Sequence, residues 1–253
     1  MTETRNDLTL DGTDPSLGEP LTALADGLKT GLGGNLSSIT VVGSALTGDY
    51  RPGVSDVNAV VVLNEHSTAA LGAVAGLAKS LRKKRIAPPL LMTAAYIERS
   101  RDVFGVEFLD FQLTHRTVLG DDPFAALHFE KSDVRLQCER ELKATLIRLR
   151  QGYIAAAGNH KLVRDVLIAA AKGLAPLVRA MLWLKDSERP TTLEKTFRAG
   201  TSELSVNLET ALRIDRWRYE KPRLSDADIA NAFSALYAAT DQLATLVDEL
   251  EVA

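Results

Sequence analysis

The chain has 253 residues, and its hydrophobic content of 45% and charged content of 25% are ordinary for globular proteins, which excludes a disordered chain. Its formal net charge of −3 argues against bulk attraction to nucleic acid, so a nucleic-acid partner is not expected. The single cysteine, Cys138, excludes an internal disulfide, and the lack of a secretion signal or of a run of about 18 apolar residues predicts a cytoplasmic chain with no membrane partner.

The first half of the chain mixes strand and helix patterns. Residues 1–15 lack periodicity and are predicted to be a loose N-terminal tail, and residues 16–125 are predicted to form one α/β domain. Within that domain we expect, in chain order, a helix capped by Ser16, two strands, a longer helix, a short strand, a brief helix and two more strands. Their predicted positions are 17–32, both ends of 41–63, 69–81, 90–92, 93–101, 103–111 and 116–119.

Four basic residues, Arg82-Lys83-Lys84-Arg85, end the longer helix. Cations suit the C-terminal end of a helix because they complement its dipole, so the run has a purely structural explanation. A role in binding an anionic substrate is the alternative.

Beyond Pro123 the pattern becomes purely helical. Val134, Cys138 and Leu142 recur at a spacing of four, and apolar stripes of this kind continue to the end of the chain. Helices joined by short turns pack antiparallel, so residues 126–253 are predicted to form a helical bundle domain. The predicted fold class is therefore α+β, with a small mixed-sheet domain followed by an all-helical bundle. The predicted helices lie at 134–153, 162–181, 192–199, 202–217 and from a capping box of Ser225 and Asp228 onwards.

The most informative stretch of the sequence lies between residues 41 and 63. An apolar strand leads into Gly43 and Ser44, a polar loop follows, and a second apolar strand opens near Asp56 and Asn58. Gly43 allows close backbone approach, and Ser44 offers a hydroxyl and an N–H that can bind an anion. Asp56 and Asn58 are two apart, so they lie on the same face of a strand. A phosphate held at Gly-Ser opposite oxygen ligands for Mg²⁺ is the requirement of phosphoryl or nucleotidyl transfer.

This stretch resembles the motif of the nucleotidyltransferase superfamily typified by DNA polymerase β and the aminoglycoside nucleotidyltransferases. That motif runs from an apolar strand through Gly-Ser, a loop with a further glycine and Ser-Asp-x-Asp into a second strand, and the matching residues are Gly43, Ser44, Gly48, Ser55 and Asp56. The aminoglycoside enzymes also carry a helical bundle after the mixed-sheet domain. The resemblance implies that Gly43, Ser44 and Ser55 bind the nucleotide. It also implies that Asp56 is a catalytic magnesium ligand.

Two carboxylate positions of the family pattern need separate treatment. The second acid of the family's Asp-x-Asp is Asn58 here, whose amide oxygen can bind Mg²⁺ but brings no charge. The third carboxylate of the family lies on a later strand, where Glu107 and Asp110 compete for the role. They are three apart, so on a strand they face opposite sides, and Glu107 is preferred because it comes early in the apolar run. Its implied roles are metal ligand and general base for the acceptor hydroxyl.

The predicted function is magnesium-dependent transfer of a nucleoside monophosphate from an NTP, with ATP expected first, to an acceptor hydroxyl on a small molecule or protein. The alternative is a non-catalytic nucleotide-binding or regulatory module on the same fold, because the missing carboxylate at Asn58 weakens a two-ion site. Under that alternative the helical bundle is the interaction surface, and homo-oligomerisation stays open.

Overall fold

The computed structural model describes residues 7–252, which divide into two compact units. The described part of unit 1 comprises residues 7–101 and 111–128, and that of unit 2 comprises residues 102–110 and 129–252. Segment 102–110 belongs to unit 2 although unit 1 resumes after it, a feature that local sequence patterns do not reveal.

The first described residues of unit 1 contact the sheet and lead into the first helix. Of the predicted tail, residues 1–6 lie outside the described residues, and the N–H of Thr9 donates to the carbonyl of Val118 at 2.9 Å. The predicted cap at Ser16 is wrong, because Ser16 lies inside a 3₁₀ turn over Pro15–Leu17 whose cap is Asp14. The turn leads into α1, Gly18–Leu32, which agrees with the helix predicted at 17–32.

Unit 1 contains a mixed sheet, as the sequence predicts, with four strands where five are expected. Strand β1 lies in the middle, antiparallel to both β2 and β4, and β3 extends the sheet parallel to β2, which gives the order β3-β2-β1-β4. The strands are β1, Leu36–Val42; β2, Asn58–Leu63; β3, Leu90–Thr93; and β4, His115–Leu119.

Two capped helices accompany this sheet. Helix α2, Thr68–Lys83, begins at Ser67, whose side chain accepts a hydrogen bond from a backbone N–H, and helix α3, Ala94–Arg99, begins at Thr93 in the same way. Both agree with the predicted helices. The core of unit 1 packs one face of α1 and α2 against the sheet, and its fully buried members include Leu17, Leu24, Leu28, Ile39, Val41, Val61 and Leu63.

The strand predicted over 103–111 is wrong, because this segment forms helix α4, Gly105–Leu113. Its buried residues follow a helical spacing, with Val106, Phe108 and Leu109 inside. The side chain of Gln137 accepts a hydrogen bond from the N–H of Val106 at 2.8 Å, which satisfies a donor that the first turn of a helix leaves open. A contact 31 residues away in sequence thus favours a helix where aromatic and branched residues favour a strand.

Unit 2 is helical and has its own core. Its buried apolar residues come from α4 and from the five helices that follow, and they form one continuous cluster. Helix α9 begins with the capping box of Ser225 and Asp228 that the sequence predicts. The helix predicted at 202–217 begins later, because α7 continues to Leu204. These helices are α5, Lys131–Ala156; α6, His160–Leu184; α7, Leu193–Leu204; α8, Glu209–Glu220; and α9, Asp226–Asp248.

Helix α6 is the most apolar of these helices. By length and composition alone it is able to cross a membrane, with a mean hydropathy of 1.5 in its most apolar window. Half of that window is buried inside the structure, and Leu167, Ala171, Leu174 and Val178 belong to the core of unit 2. This is the pattern of a core helix in a helical bundle.

Candidate functional site

The motif residues of unit 1 converge at one end of the sheet. Val42, the last residue of β1, pairs with Asn58, the first residue of β2, and on its other side with His115 of β4. Gly43 therefore leaves the sheet at the same end at which Asp56 approaches it. The two ends of the strand-loop-strand motif therefore lie side by side and form one small surface.

Gly43 opens this surface to a ligand. Its φ of +76° lies in the left-handed region, and a Cβ added there would meet no atom within 4 Å. Its N–H is not available to an anion, because it donates to the carbonyl of Thr114 at 2.9 Å. The neighbouring Ser44 hydroxyl makes no hydrogen bond within residues 7–252 and is the donor that a phosphate can use.

Ser55 closes the loop between the two strands. Its hydroxyl oxygen accepts the N–H of Arg51 at 3.1 Å, and its own N–H donates to the carbonyl of Arg51 at 2.8 Å. These two bonds hold the loop in a turn just before Asp56. The hydroxyl proton of Ser55 takes no part in them, so Ser55 can still donate to a nucleotide.

Asp56 is paired with a cation that follows the end of helix α2. Its Oδ1 lies 2.9 Å from Nη2 of Arg85, and both side chains are about half exposed, at 56% and 44%. The same guanidinium donates to the carbonyls of Val54 and, at 3.4 Å, of Ser55. Arg85 thus binds three consecutive residues of the motif.

The backbone of Arg85 is in an unusual conformation for its residue type. It follows the end of α2 with a φ of +55°, and the N–H of Ile86 donates to the carbonyl of Leu81 while that of Arg85 donates to Arg82. This is the Schellman ending of a helix, where glycine is the usual residue. An L-residue in the left-handed region costs about 1–2 kcal/mol. An arginine here keeps its guanidinium at the motif in spite of that cost.

Asn58 is the other polar residue of the motif at this end of strand β2. Asn58 is exposed and its side chain makes no hydrogen bond within the described part of the chain, so its amide oxygen is available to a ligand. Strand β3 pairs with β2 from Val60 and Leu90 onwards, and its four residues are Leu-Leu-Met-Thr. The neighbouring strand therefore adds no acid to Asp56.

The two candidates for the third carboxylate lie on α4, a helix rather than the expected strand. Glu107 is exposed, and its Oε2 accepts a hydrogen bond from the side chain of Gln137 at 2.5 Å. Asp110 receives both Nε and Nη2 of Arg179, at 2.5 and 3.2 Å, in a largely buried pair. Glu107 and Asp110 belong to unit 2, and Asp56 belongs to unit 1. Because the segment is a helix, Glu107 and Asp110 do not face opposite sides of a strand. Glu107 is the more accessible of the two side chains.

The oxygens of Asp56 and Asn58 in unit 1 could together hold one magnesium ion. Mg²⁺ is usually held by one or two carboxylates together with substrate phosphates, and the oxygens of Asp56 and Asn58 at one sheet end meet that requirement. A pair of ions needs further acids. Among residues 7–252 no group of three or more His, Cys, Asp or Glu side chains is arranged to hold a metal.

Arg85 belongs to the basic run for which the sequence predicts either a purely structural role or the binding of an anionic substrate. The pattern of four cations at a helix end is explained by the dipole, and it does not distinguish the residue that turns toward the motif. The usable signal was the absence of glycine or asparagine after α2, which left a charged residue to adopt the left-handed conformation.

A family model and a solved structure are similar to this chain. Residues 23–111 match the family model of the nucleotidyltransferase domain, a range that includes every motif residue of unit 1. No curated protein matches the chain. A similar solved structure is the spectinomycin adenyltransferase AAD(9) from Enterococcus faecialis with ATP and spectinomycin, at 14% identity and a TM-score of 0.57, covering 89% of this chain and 98% of that one. At this identity the likeness concerns the fold.

The family match supports a transferase enzyme of the nucleotidyltransferase type. It confirms the resemblance that Gly43, Ser44 and Asp56 suggested, and the structural likeness confirms a mixed-sheet domain followed by a helical region. Residues 23–111 of the chain therefore resemble a nucleotidyltransferase domain.

Proposed function

We propose that this protein moves a nucleoside monophosphate from an NTP to an acceptor hydroxyl, with the help of Mg²⁺. The observation that carries the proposal is the meeting of Gly43, Ser44, Asp56 and Asn58 at one end of the sheet, through the pairing of Val42 with Asn58. A donor hydroxyl, an open space and oxygen ligands for a cation are together what a metal-bound triphosphate requires.

The residues of unit 1 divide the work of binding. The triphosphate enters the open space beside Gly43, the Ser44 hydroxyl donates to a phosphate oxygen, and Ser55 keeps the loop in shape. Asp56 and Asn58 would hold one Mg²⁺, which when bound draws negative charge from the phosphate oxygens. The acceptor oxygen attacks the α-phosphorus, and pyrophosphate leaves with the electron pair of the broken bond. The hydroxyl proton passes to a general base.

The similar adenyltransferase structure guides the choice of substrates. It contains ATP and spectinomycin, which supports ATP as the first NTP to test and a hydroxyl-bearing small molecule as the first acceptor. Protein hydroxyls form the second class of acceptor.

A label-transfer screen tests the proposal. Each of the four NTPs, labelled at the α-phosphate, is incubated with the full chain, MgCl₂ and panels of small-molecule and protein acceptors. Transfer is expected with at least one pair, and Asp56→Ala is expected to reduce it at least about a hundredfold. Asp26→Ala, which removes an exposed carboxylate on α1, is the matched control and is expected to leave the rate unchanged. Transfer that survives Asp56→Ala would overturn the assigned site.

A second candidate function is a non-catalytic nucleotide-binding module. Asn58 in place of an acid and the pairing of Asp56 with Arg85 both favour it, because each reduces the negative charge that divalent ions require. Nucleotide binding survives these changes, since Ser44 and the space at Gly43 need no metal.

Asn58→Asp separates the two candidates. The side chain of Asn58 is exposed and makes no hydrogen bond among the described residues, so the substitution does not disturb the fold. An enzyme shows a measurable native rate that Asn58→Asp alters modestly. A module shows calorimetric binding of ATP by the native chain and no label transfer, and native transfer that depends on Asp56 would exclude it.

A further inference from the structure

Arg85 is fixed at the motif by its backbone as well as by its side chain. Its carbonyl accepts the N–H of Val57 at 2.8 Å, and the N–H of Ala87 donates to the carbonyl of Val57 at 2.9 Å. These bonds make a short parallel bridge between Val57 and Ile86 beside strand β2. The backbone of Arg85 is therefore fixed beside β2, and its guanidinium stays within side-chain reach of Asp56.

The guanidinium is also placed where a ligand can reach it. Its side chain is 44% exposed, and Arg85 lines a cavity of about 520 Å³ together with Asp56 and Arg82. The remaining lining residues are apolar or small, and they come from α2 and from the segment that leads into β3. Two cations and one acid give this cavity a positive balance, and Asp56 is the motif residue that lines it.

The charge at this end of the sheet differs from that of a two-ion site. A triphosphate that approaches several carboxylates needs divalent ions to offset the repulsion. Here Asp56 is already paired with Arg85, Asn58 is neutral and β3 contributes no acid. An arginine fork binds phosphate oxygens in a bidentate manner and does so without a metal.

We propose that Arg85 is a triphosphate-binding residue that supplies the positive charge of a second metal ion, so that NTP binds to this site without any divalent cation. On binding, the guanidinium exchanges Asp56 for phosphate oxygens, which leaves Asp56 free to hold one Mg²⁺ together with Asn58. The inference rests on the NTP site of the proposed function, and it adds how that site recognises the triphosphate.

Calorimetric titration of the full chain with ATP tests this assignment, in EDTA and in MgCl₂. In EDTA the native chain is expected to bind ATP with a Kd within about tenfold of the value in Mg²⁺. Arg85→Gly is expected to weaken binding in EDTA at least about tenfold, because it removes the fork and its three donor contacts. Glycine adopts a φ of +55° readily, so the end of α2 is expected to persist, as circular dichroism can check.

Two further variants sharpen the test. Arg85→Asn, which also tolerates the left-handed conformation, is expected to reproduce the loss. Lys79→Ala removes an exposed cation of the same helix outside the cavity and is expected to leave the Kd unchanged. ATP binding that requires Mg²⁺, or a Kd in EDTA that neither Arg85 variant changes, would overturn the role of Arg85.

The outcomes also separate this inference from the proposed function. ATP binding in EDTA that depends on Arg85, without label transfer in the screen, supports the inference and overturns the transfer activity. Label transfer without ATP binding in EDTA does the reverse. If ATP fails to bind in either buffer, both are wrong.

Discussion

Asp110 and Arg179 form a nearly buried ion pair in unit 2, with side-chain exposures of 13% and 11%. Arg179 also donates to the hydroxyl of Thr196 at 3.2 Å, so the pair links α4, α6 and α7. A buried pair of this kind stabilises little compared with apolar packing, but the loss of one partner leaves an uncompensated charge. This explains why Asp110, although acidic and close in sequence to Glu107, is a structural residue.

We predict that Asp110→Ala destabilises the chain by about 3–5 kcal/mol, because it leaves Arg179 buried without its acid. Lys131→Ala is the matched control. It breaks the exposed pair with Asp186, whose side chain is 79% exposed, and is expected to cost less than about 1 kcal/mol. Urea unfolding of both variants measures the difference. Equal costs would show that Asp110 and Arg179 behave as a solvated pair.

Cys138 is completely buried within the core of unit 2. Burial, with a smaller contribution from the negative charge of Glu107, raises the pKa of its thiol to about 12. We predict that a thiol reagent at pH 8 labels the native chain slowly and the urea-unfolded chain rapidly, since an unfolded thiol has a pKa of about 8.5. The raised pKa also means that this group's contribution to stability is complete below about pH 8.5 and declines as the pH rises toward 12. Rapid stoichiometric labelling of the native chain would contradict this.

At the scale of elements, Gly120 follows the end of β4 and lies against the start of β1. It has a φ of +76°, and a Cβ added there would lie 2.1 Å from the carbonyl oxygen of Ser37. Gly53, in the loop before Asp56, has the same φ of +76° but no atom within 4 Å of an added Cβ. The two glycines therefore separate backbone strain from steric overlap.

We predict that Gly53→Ala costs about 1 kcal/mol, from backbone strain alone. Gly120→Ala is expected to cost at least about 3 kcal/mol, because the strands must also separate to admit the methyl group. Urea unfolding of the two variants, at one temperature and pH, gives the comparison. Similar losses of unfolding free energy in the two variants would show that β1 and β4 separate at Gly120 with little loss of stability.

The elements show which signals the sequence carries. Strands β1 and β2, the helices and the capping box at Ser225 follow from periodicity and capping residues, and the structure agrees. Helix α4 was mistaken for a strand because its aromatic residues suit either structure, and the deciding contacts come from Gln137 and Arg179, distant in sequence.

The sequence likewise predicts the contacts of the site that are local in the chain and misses those between distant residues. Gly43, Ser44 and Asp56 are recognisable because strand, loop and strand are contiguous in the chain. The pairing of Asp56 with Arg85 depends on the bridge between Val57 and Ile86, a parallel contact that no local pattern reports.

At the scale of the whole molecule, residues 7–252 contain two hydrophobic cores, and each draws its buried residues from one unit. The core of unit 1 includes Leu28 on α1, and the core of unit 2 includes Leu142 on α5, and both leucines are fully buried. Truncation of such a leucine typically costs about 2–5 kcal/mol, because it removes packing contacts and leaves a cavity. Since the two cores share no residue, the loss is expected to fall first on the unit that contains the cavity.

We predict that Leu142→Ala accelerates backbone hydrogen exchange in α5, α6 and α9 at least about tenfold, while the amides of β1 and β2 keep their native rates. Leu28→Ala is the reciprocal control and is expected to accelerate exchange in α1, β1 and β2 while the helices of unit 2 stay protected. Hydrogen exchange of the full chain, followed by mass spectrometry of its peptides, resolves both patterns. If either variant accelerates exchange equally across both units, the chain unfolds as one cooperative body, and the division of its buried residues between two cores has no counterpart in its stability.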